Sequence, residues 1–194
     1  MSLAQELAAQ GDAVAVFLAP ERRRSELRAD LFAAARQAGP RSSTHPHGVP
    51  APGHTVDPYA LHTRPTILRR LAVLLAHELP ARLDRLVAAD RADTPLVTAV
   101  ALHTGLPFAL AGGRSVTEGG DELLGEVHRG ERIVVLTTVT AGGRGALRTA
   151  ELVRRHGARI ASVLTVIDRD EGAVARLGAA GHQLRALFTD GTAL

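Results

Sequence analysis

At 194 residues, 45% of them hydrophobic and 22% charged, the chain is long enough for one domain, or one domain plus a small flap, with a sizeable core. Cysteine is absent, which excludes disulfides, thiolate catalysis and Cys-based zinc sites. Lysine is absent too, so all 23 basic residues are arginine and the formal charge is only +3. With four Phe, one Tyr and no Trp there are too few stacking side chains for a nucleic-acid surface, and the arginines read as a solvated face.

In chain order, Leu3 to Ala9 is a short amphipathic run. Ser25 to Ala38 repeats Leu27, Leu31, Ala34 and Ala35 at helical spacing. Gly39 to Pro58 is rich in Pro, Gly, Ser, Thr and His without periodicity, which suits a lid or connector. A helix is expected from Pro65 to about Glu78, with proline in its first turn. Beyond it the pattern alternates. Leu86–Ala89, Phe108–Ala111, Arg132–Thr138, Arg159–Ile167 and Leu184–Phe188 read as strands. Pro95–His103, Leu147–His156 and Glu171–Ala180 read as helices. This predicts an α/β fold with a central, buried parallel sheet flanked by helices. Residues 1–62 are expected to form N-terminal helices and a His/Pro-rich lid, and residues 63–194 the core. No apolar run reaches the roughly 18 residues of a membrane span, and no basic segment precedes an apolar one at the N-terminus, so a cytoplasmic location is expected.

Ligands of such sheets bind beyond the carboxyl ends of the strands. The loops in question are Asp90–Thr94, Gly112–Glu126, Thr137–Gly145 and Asp168–Gly172. In the third, a buried strand runs through Thr140, Ala141, Gly142, Gly143, Arg144 and Gly145 directly into a helix. Glycines let backbone amides turn toward one point and the helix start adds partial positive charge, an arrangement suited to a phosphate monoester. A plain strand–helix turn is the competing reading.

This layout is similar to the phosphoribosyl-diphosphate motif of type I phosphoribosyltransferases, an apolar strand followed by two acidic residues and a Thr/Gly loop. Downstream, VLTVIDRDEGAVARLGAAGHQLRALFT resembles the orotate phosphoribosyltransferase pattern of strand, Asp-Arg, Glu-Gly, helix and Leu-Phe-Thr. ILRRLAVLLAHEL, the helix around residues 98–102 and GLPFALA sit where that family places its upstream elements, and GHTVDPYALHTRP is a looser likeness. The resemblance runs over roughly residues 28 to 189 and implies the type I phosphoribosyltransferase fold, commonly a homodimer sharing loops across its interface.

The resemblance also exposes departures. The family's acidic pair, which holds ribose hydroxyls and organises magnesium-bound diphosphate, is matched by Thr137 and Thr138; they can still hydrogen-bond a ribose but cannot attract a metal. A threonine on the orotate side is matched by Ala141. Gly112 and Gly113 replace an Arg-Lys pair on the mobile loop, where Arg114 stands against Glu118, Asp121 and Glu122. Asp93 falls about where a lysine is common. Loss of one electrostatic donor typically costs about 10²–10³ in rate, so transfer from phosphoribosyl diphosphate is expected to be lost or altered. Arg169 matches the residue that pairs with the orotate carboxylate; a surface ion pair with Asp168 or Asp170 is the alternative.

His45, His47, His54 and His62 lie within 18 residues, flanking Asp57, but their spacing fits no zinc signature, and solvated loop histidines are the simpler expectation. The reading reached is an orotate phosphoribosyltransferase-like chain that binds a nucleotide or sugar 5′-phosphate. It has no metal of its own, magnesium entering only with phosphoribosyl diphosphate. The alternatives are an active pyrimidine phosphoribosyltransferase with unorthodox loops and a non-catalytic partner of an active relative.

Overall fold

The computed structural model describes residues 25–31, 33, 57–114 and 121–189. Strands β1 (Arg85–Ala88), β2 (Phe108–Arg114), β3 (Asp121–Leu124), β4 (Arg132–Thr140), β5 (Arg159–Asp168) and β6 (Leu184–Thr189) form one sheet in the order β3-β2-β1-β4-β5-β6. All neighbours pair in parallel except β2 and β3. The helices are α1 (Pro58–His62), α2 (Pro65–Glu78), α3 (Thr94–Thr104), α4 (Arg144–Arg155) and α5 (Ala173–Ala179). Among the described residues no helix is long and apolar enough to cross a membrane.

Alternation along the strands sorts the core into two layers. Val134 and Leu136 of β4 face one side, where they meet Leu71 and Leu75 of α2 and Leu96, Val97 and Val100 of α3. Leu27 and Leu31 of the helical segment at residues 25–31, and Leu61 of α1, join the same cluster. Ile133 and Val135 face the other side, against Val153 and Ala146 of α4 and Leu177 of α5. With so few aromatics, leucine and valine do most of the filling, and Phe188 is the one aromatic among the described buried residues.

The parallel α/β reading and the order of its main elements match the structure. Pro65–Glu78 is helical as expected, and Gly105, at φ 74°, ends α3 in the left-handed conformation that glycine adopts without penalty. Three local expectations need correction. Gly112–Glu126 is not simply a loop: β2 runs on to Arg114, and β3 folds back antiparallel, pairing Gly112 with Glu122. A Cβ at Gly112 would lie 3.2 Å from the Glu122 carbonyl oxygen, so glycine permits the close pairing, while the short segment DELL has too little alternation to announce a strand. The connector ends earlier than Pro58, because the Asp57 carboxylate accepts the Tyr59 N–H at 2.9 Å and starts α1. Finally, α4 starts at Arg144 rather than Leu147, and α5 at Ala173 rather than Glu171. The run at residues 3–9, the stretch 39–56 with His45, His47 and His54, and Glu118 lie outside the described residues.

Leu71 is fully buried in the larger cluster. Leu71→Ala is expected to cost about 2–5 kcal/mol of stability by leaving a cavity. Urea unfolding checks this through a lower midpoint with an unchanged slope.

Candidate functional site

In the order β3-β2-β1-β4-β5-β6 the chain leaves β1 toward β2 on one side, while β4 pairs on the other. The crevice beyond the carboxyl ends of β1 and β4 is therefore the topological switch point, where sheets of this kind bind ligands. Three described segments converge there: the turn after β1, the glycine loop after β4 and the loop after β5. Ala89 N–H donates to the Leu136 carbonyl at 2.8 Å, and the Thr149 hydroxyl of α4 donates to the Ala89 carbonyl at 3.0 Å, tying the first two together. Arg169 N–H donates to the Thr140 carbonyl at 2.8 Å and ties in the third.

A buried hydrogen-bond chain crosses the switch point. By strand alternation Thr138 follows Val134 and Leu136 onto the α2/α3 side, and it is wholly buried. Its N–H and its hydroxyl both donate to Asp93 Oδ1, at 2.8 and 2.7 Å. His62 Nε2, at the end of α1, lies 2.8 Å from the same hydroxyl oxygen. The hydroxyl has one proton and it points at Asp93, so Nε2 carries the imidazole proton and donates. Nδ1 is then the unprotonated nitrogen, and it is buried without a partner. Burial pushes the His62 imidazole down to about 4, and it pushes the Asp93 carboxyl up to about 6 against the downward pull of the Thr138 hydrogen bonds. At neutral pH the chain therefore runs from a neutral imidazole through a hydroxyl to a carboxylate.

Thr137 is 7% exposed, its hydroxyl lies 3.4 Å from the Val139 carbonyl, and it adds to the downward pull of Thr138 on the Asp93 carboxyl. Thr140 is buried. After it, Gly143 has φ 71° and forms the N-cap of α4, and a Cβ there would also lie 3.2 Å from the Ala173 Cα. Glycine is thus required twice at one position, for its dihedral and for the approach of α5. The amides of the first turn of α4 have no intrahelical acceptors, the feature by which helix starts favour anions. Gly142 is adjacent to Arg176 of α5, whose Nη1 donates to the Gly142 carbonyl. Arg144 begins α4 and is exposed.

Arg169 lies in the third loop, but its partner is neither Asp168 nor Asp170: its guanidinium pairs with Glu171 at 3.0 Å. Asp168 is 3% exposed and accepts the Asp170 N–H at 3.1 Å, and burial holds its carboxyl above the usual range. A cleft of about 320 Å³ elsewhere, between α2, β5 and β6, is lined by Leu75, Glu78, Leu164 and Arg185. It lies partway along the strands rather than at their carboxyl ends, and Arg185 is tied to Glu78 there, so the switch point is the stronger candidate. Among the described residues no three His, Cys, Asp or Glu side chains gather as a metal cage.

Sequence reasoning singled out Thr137, Thr138, Asp93 and His62 separately without connecting them, and it passed over Arg176. The alternation of RIVVLTT does assign Thr138 to the face opposite Thr137, but the approach of α1 is a tertiary contact, and Arg176 lies more than 30 residues from the loop it touches.

No model of a known protein family matches the sequence. Curated relatives do. Orotate phosphoribosyltransferase of Thermococcus kodakarensis is 37% identical over 123 residues, which is 61% of this chain and 66% of that protein, just under two thirds of its length. The Pyrococcus furiosus protein of the same name is 32% identical over 133 residues, 66% of this chain and 73% of the relative. Among solved structures, Mycobacterium tuberculosis orotate phosphoribosyltransferase in complex with 5-phospho-α-D-ribosyl 1-diphosphate superposes with a TM-score of 0.65. It is 21% identical and covers 87% of this chain and 96% of its own, a likeness of fold.

The two buried groups pull stability in opposite directions with pH. Between 3.8 and about 6 the folded chain keeps a proton on Asp93 that the unfolded chain has lost, so stability falls as pH rises. Between about 4 and 6.5 the unfolded chain protonates His62 and the folded chain does not, so stability rises with pH. In the wild type these slopes offset one another. Asp93→Asn is expected to lose on the order of 3 kcal/mol as pH falls through that window, and His62→Gln to lose a similar amount as pH rises through it. Urea unfolding as a function of pH checks this, and profiles of the same sign in both variants would contradict it.

Proposed function

The chain belongs to the orotate phosphoribosyltransferase family, and from that premise we propose that it binds a nucleotide or sugar 5′-phosphate at Thr140, Ala141, Gly142, Gly143, Arg144 and Gly145, with transfer from phosphoribosyl diphosphate lost or altered. The observation that carries this reading is Thr138. It stands in the place of a family acidic residue, and its amide and hydroxyl are both committed to Asp93. Thr137 is left as the nearer candidate for a ribose hydroxyl.

Magnesium would accompany phosphoribosyl diphosphate in an active relative, and the residues here do not suit it. Hard cations take carboxylate and other oxygen ligands. The acidic pair is Thr137 and Thr138, while the Asp93 carboxylate is 3% exposed and directed at Thr138. Lysine is absent from the whole chain, so the leaving diphosphate lacks one of its usual counter-charges. The glycine loop, by contrast, keeps the backbone geometry that a monoester needs, since helix-start amides bind anions whatever the side chains are. Arg169 has one contact to Glu171, and an orotate-like carboxylate would either share the guanidinium's remaining donors or displace Glu171. Family likeness also supports a homodimer.

Thermal melting with ribose 5-phosphate, uridine monophosphate, orotidine monophosphate and orotate tests the proposal. A ligand binding only the native state at 100 times its Kd adds about 2.7 kcal/mol, a readily measured shift. The three phosphates are expected to raise Tm and orotate alone to raise it little. A shift with orotate and none with any phosphate would overturn the reading.

A further inference from the structure

We propose that Arg176 is a ligand of the phosphate group at the glycine loop, the side-chain cation that selects a dianionic monoester there; the proposal rests on the loop reading above and names a residue outside the loop as part of it. The first observation is placement. Gly143 packs against Ala173, so α5 is clamped onto the loop, and Arg176 stands one helical turn further along the same face. Its Nη1 reaches the Gly142 carbonyl. A Cβ at residue 142 would lie 2.6 Å from that nitrogen, so any larger residue there would have to displace the guanidinium.

The second observation is charge. Arg176 is half-buried, and among the described residues no carboxylate lies within ion-pair distance of it. Other arginines of the fold are paired: Arg169 with Glu171 at 3.0 Å, Arg85 with Glu131 at 2.9 Å, and Arg185 with Glu78. An uncompensated guanidinium beside the N-terminus of α4 also opposes the helix macrodipole, whose positive end disfavours a cation and favours an anion. One dianion at the loop resolves both conflicts. It accepts from the amides of the first turn and from the guanidinium, which has five N–H donors and has committed one of them to Gly142. In a chain with no lysine, this gives the phosphate an arginine in addition to the backbone amides.

Titration calorimetry with ribose 5-phosphate and with inorganic phosphate, on the full chain, tests the assignment. Arg176→Gln removes the charge, Arg176→Lys keeps it without the planar fork, and Arg148→Gln removes an exposed arginine of α4 as a control. Arg176→Gln is expected to weaken ribose 5-phosphate binding by about tenfold or more, as loss of a charged hydrogen bond does, with Arg176→Lys falling between it and the wild type. Arg148→Gln is expected to stay close to the wild type. If the wild type binds and both Arg176 variants bind equally well, Arg176 is not a ligand and the loop reading stands without it. If the wild type binds neither probe, the loop reading falls and the role of Arg176 with it.

Discussion

The architecture of the switch point depends on one buried carboxylate. Asp93 leaves the short turn after β1 and accepts both the backbone N–H and the hydroxyl of Thr138, so the two strands that flank the crevice are joined at their carboxyl ends by a side chain rather than by the ladder alone. A carboxylate at 3% exposure is costly unless its hydrogen-bonding capacity is used, and Thr138 uses it. His62 completes the chain by donating to the Thr138 oxygen, which also fixes where α1 sits. Asp93, Thr138 and His62 together form an internal strut.

That strut accounts for the division of the site into two halves with different chemistry. On the β1 side, the charge is negative, buried and committed. On the β4–α4 side, the backbone is open, glycine-rich and at the positive end of a helix, with Arg176 leaning over it from α5. On the proposed reading an anion sits at the β4–α4 half, away from the Asp93 carboxylate. A monoester would then need only that half, whereas a ribosyl diphosphate would have to span both. The family fold is kept, and the change lies in which oxygens and nitrogens remain free to meet a ligand.

Much of the fold was legible because buried parallel strands and their helices leave strong marks. RIVVLTT and RIASVLTVI are too continuously apolar to be anything but interior strands, and the proline at residue 65 and glycine at residue 105 mark helix ends. The antiparallel β3 was not legible, because four residues of mixed polarity carry no period and the pairing is set by the edge that β2 offers. The site was legible in its backbone and much less so in its side chains. The glycine loop announces itself locally, but the union of Asp93, Thr138 and His62 joins three segments up to 76 residues apart. Likewise, Arg169 was read as the ligand of an orotate-like carboxylate or as the partner of Asp168 or Asp170, and the ion pair it makes is with Glu171, across the turn that precedes α5.

The central claim, that the switch point accepts a phosphate monoester and has closed to the diphosphate, is tested most directly by titrating the full chain calorimetrically with phosphoribosyl diphosphate in the presence and absence of magnesium. The account predicts weak binding that magnesium does not strengthen, since neither Thr137, Thr138 nor the buried Asp93 carboxylate offers the cation a seat. Tight, magnesium-dependent binding would contradict it and place the chain among the working transferases of its family.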